Sequence, residues 1–155
     1  MSDRIDELDF FALTARVKRL SDRLYSDARK IYNYLGLDVE PNWHLVFTLL
    51  KEDDLSVTEI SGQLGFSHPA IIKITQKMRE KGFVASYQDK LDARKQLLTL
   101  TKKSRALLPT LEKEWARIQS VIKTCAGDEF LAQIRRFDKA IEEKSTFERF
   151  VDAHE

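Results

Sequence analysis

Apolar residues recur at three- and four-residue steps near the start of the chain: Phe10, Leu13, Val17, Leu20, Leu24, Ala28, Ile31 and Leu35. That spacing follows the turn of an α-helix and predicts one long amphipathic helix from about Asp9 to Leu35, ended by Gly36 as a C-terminal cap. Pro41 is suited to open a second helix of about ten residues. Trp43, Val46, Phe47 and Leu50 mark its apolar side, and Glu52, Asp53 and Asp54 close it. Past residue 55 the elements shorten. Ser56-Val57-Thr58-Glu59 has the form of a capping box, in which serine and glutamate satisfy free amides at a helix start, and it predicts a short helix from Val57 to Leu64. Gly65 suits a left-handed turn. Ser67 then caps a further helix with Pro69 in its permissive first turn, and Gly82 stops it. Ile60, Leu64, Ile71, Ile74 and Met78 supply a packed underside for this helix pair, and Ser61 is small enough for a close crossing.

At Phe83 the period changes from helical spacing to alternation. Phe83 to Gln88 and Lys95 to Thr101 predict two short antiparallel strands around the polar loop from Asp89 to Arg94. Farther on, Leu107, Leu108, Leu111, Trp115, Ile118 and Val121 or Ile122 mark a helix from about Lys102 to Thr124. Phe130, Leu131, Ile134, Phe137 and Ile141 mark another after Gly127 and Asp128, with Phe147, Phe150 and Val151 beyond it. The expected fold class is mainly α: a helix-turn-helix with a two-stranded β-wing, between long N- and C-terminal helices. The ranges are 1–35 for the first helix, 36–101 for the winged lobe and 102–155 for the last helices, within a single intertwined domain. The terminal stripes, with Ile5, Leu8, Phe10 and Phe11, exceed what one small winged helix needs to cover itself. They predict dimerisation, the alternative being a closed monomeric core.

Composition narrows the function classes. With 43% hydrophobic and 33% charged residues, 155 residues can bury a full core. The opening MSDRIDELDF has four acids and one arginine, unlike a secretory signal, and no apolar run approaches membrane-spanning length, so a cytoplasmic protein is expected. Cys125 has no second thiol. It is expected to be a buried small apolar residue, with a redox switch as the alternative. The net charge of +1 hides a strong asymmetry, since Phe66 to Arg105 holds ten basic residues against three acids. Such a basic block in an acidic scaffold is the footprint of a phosphate-binding module; a solvated helix face is the alternative.

On the second helix of the pair, the apolar underside leaves His68, Pro69, Ala70, Ile72, Lys73, Gln76 and Lys77 outward. A major groove admits one helix, and base edges are read from its N-terminal half. Lys73 and Gln76 are candidates for base edges, Lys77 for phosphate and Ile72 for a thymine methyl, unless the helix is rotated a step and Ile72 packs inward. Ser67, His68 and Pro69 complete this face. In the wing, Lys90, Asp92, Arg94 and Lys95 are the candidates. Arg94 is assigned as a minor-groove probe with Asp92 orienting its guanidinium, against the alternative of a surface ion pair.

The stretch Asp92-Ala93-Arg94-Lys95-Gln96-Leu97-Leu98-Thr99-Leu100-Thr101 resembles the D-x-R-x-x-x-L-x-L-T wing signature of the MarR family of winged-helix transcription regulators. Leu64-Gly65-Phe66-Ser67 and Met78 to Val84 are similar to that family's recognition helix and its exit. Ser104 stands where the family usually has glycine, and Ala93 where a second wing arginine is frequent. The resemblance implies a homodimer that binds a pseudo-palindromic operator in double-stranded DNA, acts as a repressor and is released by a small aromatic or carboxylate effector. It also implies an effector pocket near Tyr25, Arg29, Trp43, His44 and Phe47, with Arg29 or His44 holding a carboxylate; plain core is the alternative for Trp43 and Phe47. No enzyme constellation, cofactor motif or metal-ligand spacing is present in the sequence. A winged-helix module that docks a protein partner is the other function class.

Overall fold

The computed structural model describes residues 4–154, so the first three residues of the range 1–35 and the last of 102–155 lie outside it. The chain divides into two compact units, Met1–Pro109 and Thr110–Glu155. The first contains α1 (Arg4–Glu7), a 3-10 turn (Asp9–Ala12), α2 (Leu13–Tyr34), α3 (Trp43–Glu52), α4 (Val57–Leu64), α5 (His68–Glu80), β1 (Val84–Gln88), β2 (Gln96–Leu100) and the opening turns of α6 (Lys102–Glu143). The second contains the rest of α6 and α7 (Thr146–Asp152).

The long first helix begins later than its periodicity predicts. Asp9 adopts φ +43°, a conformation that short polar side chains tolerate, and the 3-10 turn leaves Phe10 and Phe11 88% and 90% exposed. From Leu13 the helix is continuous. It ends in a Schellman motif: Leu37 N donates to Tyr32 O (2.9 Å) and Gly36 N to Asn33 O (3.1 Å). The same motif ends α5, with Phe83 N on Met78 O (2.8 Å) and Gly82 N on Arg79 O (2.9 Å). Helix α3 starts two residues after Pro41, because Pro41 occupies a turn closed by Trp43 N on Glu40 O (3.0 Å).

The helix pair follows its local signals. Ser56 and Glu59 form both halves of the capping box, and Gly65 takes φ +66° in the turn. Ser61 does more than leave room: its hydroxyl donates to Phe66 O (2.5 Å) and ties the turn back to α4. Ile60, Ile71 and Met78 are fully buried, whereas Leu64 and Ile74 are half-buried. Thr75 takes the remaining place in the underside. Its hydroxyl donates to Ile71 O (2.8 Å), so the buried oxygen is satisfied within the helix and its methyl packs.

Strands β1 and β2 pair antiparallel with Val84 opposite Leu100 and Gln88 opposite Gln96. Leu55 adds a one-residue bridge on the other edge of β2, its N and O both bonded to Leu98 (3.2 and 2.8 Å). Below the wing, Phe83 meets Trp43 and Phe47 edge-on, with ring centroids 5.4 and 5.8 Å apart. At the wing-to-helix junction Ser104 is fully buried, and its hydroxyl donates to Phe83 O. The serine thus adds a bond that glycine could not make.

In the second unit α6 is interrupted at Gly127 (φ 74°, ψ 162°), a conformation open essentially to glycine. The helix resumes to Glu143, and a capping box of Ser145 and Glu148 starts α7. Cys125 corrects the expectation of burial: it is exposed, on the uncovered last turn before the break. Phe130, Ile134, Phe137 and Ile141 form one stripe that stays 37–48% exposed. In the first unit Val17, Leu20 and Leu24 do the same on α2, at 41–55%. Among the described residues no helix is long and apolar enough to cross a membrane.

Candidate nucleic-acid interface

Burial of Ile71, Thr75 and Met78 fixes the rotation of α5. Pro69, Ile72, Lys73 and Gln76, spaced by three and four residues, therefore share its opposite, exposed side, with Lys77 beside them. Ile72 is 46% exposed, which rejects the rotated alternative. The first turn is held firmly. Ser67 Oγ accepts from Ala70 N (3.4 Å), and His68 Nε2 lies 3.1 Å from Thr58 Oγ1 on α4. Gln76 Nε2 donates to Glu80 Oε1 (3.1 Å), a contact between exposed groups that water or a base can replace.

In the wing loop, Asp92 Oδ1 accepts from Arg94 N (3.0 Å) and Arg94 Nε (3.1 Å), while Oδ2 accepts from Nη2 (3.3 Å). The guanidinium holds the Asp92 carboxyl below its usual range, yet the Arg94 side chain remains 91% exposed. A cation so held and so open is oriented before any partner arrives. Lys90 is exposed in the same loop.

Lys95 is placed differently from its sequence assignment. Its Nζ donates to Glu59 Oε1 at 2.7 Å, joining the wing to the first helix of the pair across a 690 Å³ groove bordered by Thr58, Arg94 and Gln96. Other cations of the basic block are also tied to the fold. Arg79 donates to Ser86 Oγ (3.1 Å), Lys81 pairs with Asp38 and lies over Trp43, and Lys103 lies 4.0 Å from the Phe83 ring centre. Lys73, Lys77, Lys90 and Arg94 are exposed toward solvent. On the other strand, Tyr87 donates its hydroxyl to Asp54 Oδ2 (2.7 Å), a wing contact that sequence spacing gave no means to find.

Glu59 is the most perturbed acid here. Hydrogen bonds from Lys95, and then from Ser56 N and Oγ, lower its pKa from 4.5 to about 2. A folded-state pKa below the unfolded value stabilises the fold above the unfolded pKa, and the contribution disappears as pH falls through the folded one. The melting temperature of the native chain should therefore exceed that of Glu59→Gln by a constant margin above about pH 5, and the margin should close between 4.5 and 2. Parallel melting curves through that window would contradict it.

The five residues assigned to an effector pocket do not line one hollow. Trp43 and Phe47 are 2% and 0% exposed and belong to the core around Phe83. Arg29 Nη2 donates to Glu40 Oε2 (3.0 Å), which Tyr25 OH also reaches (3.4 Å), and His44 Nδ1 lies 2.6 Å from Pro41 O. Of the five, Arg29 borders a 450 Å³ hollow, with Asn33, Asp38, Glu40 and Lys81. Its lining comes from α2, the segment after it and Lys81, and mixes these polar groups with Leu37 and Val39.

Residues 40–95 match the model of the MarR family. Among solved structures, the chain is similar to the transcriptional repressor CouR bound to a 23-mer DNA duplex: 22% identity, 92% of this chain and 99% of that one covered, TM-score 0.70. It is also similar to a MarR mutant from E. coli complexed with operator DNA, at 17% identity, 90% and 99% coverage and TM-score 0.66. The PcaV transcriptional regulator from Streptomyces coelicolor, in complex with its natural ligand, gives 16% identity, 94% and 99% coverage and TM-score 0.67. No curated protein matches the chain by sequence. Residues 40–95 thus match the MarR family model, and the chain shares the mainly helical winged-helix fold of these solved structures.

Proposed function

We propose that this protein is a homodimeric, sequence-specific DNA-binding regulator of transcription, acting as a repressor that a small ligand releases. The observation that carries the reading is the outward side of α5, an isoleucine, a lysine and a glutamine in one stripe, next to a wing that holds Arg94 in the open. A helix about 10–12 Å across fits a major groove about 12 Å wide. In that pose Lys73 and Gln76 meet base edges, Ile72 touches a thymine methyl and Lys77 meets phosphate. Arg94 enters the adjacent minor groove, where negative potential is strongest. The uncovered stripes on α2 and on the second half of α6 are the surfaces for a second copy, whose two-fold places a second reading helix along the duplex. The hollow beside Arg29 suits a carboxylate that takes the place of Glu40. The DNA and ligand named for similar structures support the reading by analogy of fold.

Selection from a pool of random duplexes tests it. The enriched sequences should contain two inverted half-sites about 10 base pairs apart, centre to centre. A pool that gains no common sequence after repeated rounds would reject operator recognition.

A further inference from the structure

We propose that Lys95 is a positioning residue that braces the wing against α4 through Glu59 and so fixes where Arg94 points; this rests on the reading of the protein as a DNA-binding regulator. Glu59 is a rigid anchor. Its Oε2 accepts from Ser56 N (2.8 Å) and Ser56 Oγ (2.7 Å), leaving Oε1 for the ammonium of Lys95 at 2.7 Å. The wing is otherwise fastened to the lobe farther down, by the Leu55–Leu98 bridge, by Tyr87 on Asp54 and by Arg79 on Ser86. Arg94 lies four residues beyond Leu98, in the turn that Lys95 N closes on Asp92 O, a lever of at most about 13 Å. A two-stranded ribbon is a weak lever by itself. The strut acts next to Arg94, where a small rotation displaces the guanidinium most. Lys95 also holds the loop by its backbone, accepting from Asp89 N and donating to Asp92 O, both at 2.9 Å.

A positioning role and a phosphate-contact role for Lys95 predict opposite results at Glu59. With a strut, Lys95→Met and Glu59→Gln each weaken binding to the selected duplex by about three- to tenfold, and Lys95→Arg restores it. The slope of log affinity against log salt stays that of the native protein. Glutamine also completes a capping box, so Glu59→Gln removes the charge and keeps the helix start. With a phosphate contact, Glu59→Gln releases Lys95 and binding holds or tightens, while Lys95→Met lowers the slope by about 0.9. Amide exchange without DNA gives an independent reading. The amides of Asp89 and Lys95 should exchange several-fold faster in Lys95→Met and Glu59→Gln and at the native rate in Lys95→Arg, with Ile60 and Met78 unaffected. Unchanged wing exchange, or Glu59→Gln binding as tightly as the native chain, overturns the strut. If the native protein binds no duplex, the regulator reading fails, and the exchange rates alone decide whether Lys95 braces the wing.

Discussion

Arg94→Ala should weaken binding to the operator by about 1–3 kcal/mol, roughly five- to 150-fold, with nearly the same loss on every duplex that the native protein binds. In the proposed pose Arg94 reads groove potential rather than a base edge, so the loss is broad. Its guanidinium is held by Asp92 yet 91% exposed, so truncation removes a prepared cation without disturbing a packed neighbour. Gln76→Ala should behave differently. Affinity for the best sequence falls less, and discrimination among bases at the position it faces relaxes by about 1–3 kcal/mol. Anisotropy titrations of both variants against the selected duplex and its single-base changes separate the two effects. Equal losses on all sequences for both variants would contradict the division of labour between α5 and the wing.

The largest expected effect is that of a change in the second unit. Ile134→Asp combined with Phe137→Asp places two carboxylates in the exposed stripe of the second unit, where the two residues are now 40% and 48% exposed. In a lone chain such positions tolerate charge. In a dimer interface they bury it, at a cost of several kcal/mol. The native protein should therefore have twice the 18.0 kDa chain mass in solution, and the variant should fall to 18.0 kDa with its helical content intact. Operator affinity should drop about 100- to 10,000-fold, since a single half-site loses the gain from linking two. Light scattering coupled to size exclusion measures the mass. A native mass of 18.0 kDa, or a double variant that remains dimeric, rejects these helices as the interface.

Local signals carried most of the fold into the sequence. Ser56 with Glu59, Gly65, Ser67 with Pro69, and the break at Gly127 each act within a few residues, so spacing alone locates them. The side of α5 that faces outward followed from its apolar positions, although Thr75 was missed: a threonine that bonds its own helix backbone is apolar in effect. Contacts across the fold were not legible. Glu59 and Lys95 are 36 positions apart and Asp54 and Tyr87 are 33 apart, and nothing in local pattern pairs them. For the same reason a cation in the basic block reads as a phosphate ligand until the acid or ring beside it is known. Trp43 and Phe47 failed as pocket walls because their spacing fits a core stripe equally well, and Phe83, which packs on both, lies far along the chain. Asp9 shows a further limit, since apolar period continues through a 3-10 turn without marking it.

Reading of duplex DNA by the exposed side of α5 and the wing underlies all of the binding expectations, and competition between the selected duplex and heparin across a salt series probes it. Contact with about six to ten phosphates predicts that affinity falls about 10³- to 10⁵-fold between roughly 50 and 200 mM salt. At the upper end of that range the selected duplex should still outcompete both heparin and an unrelated duplex. Equal affinity for duplex and heparin at every salt concentration would contradict it.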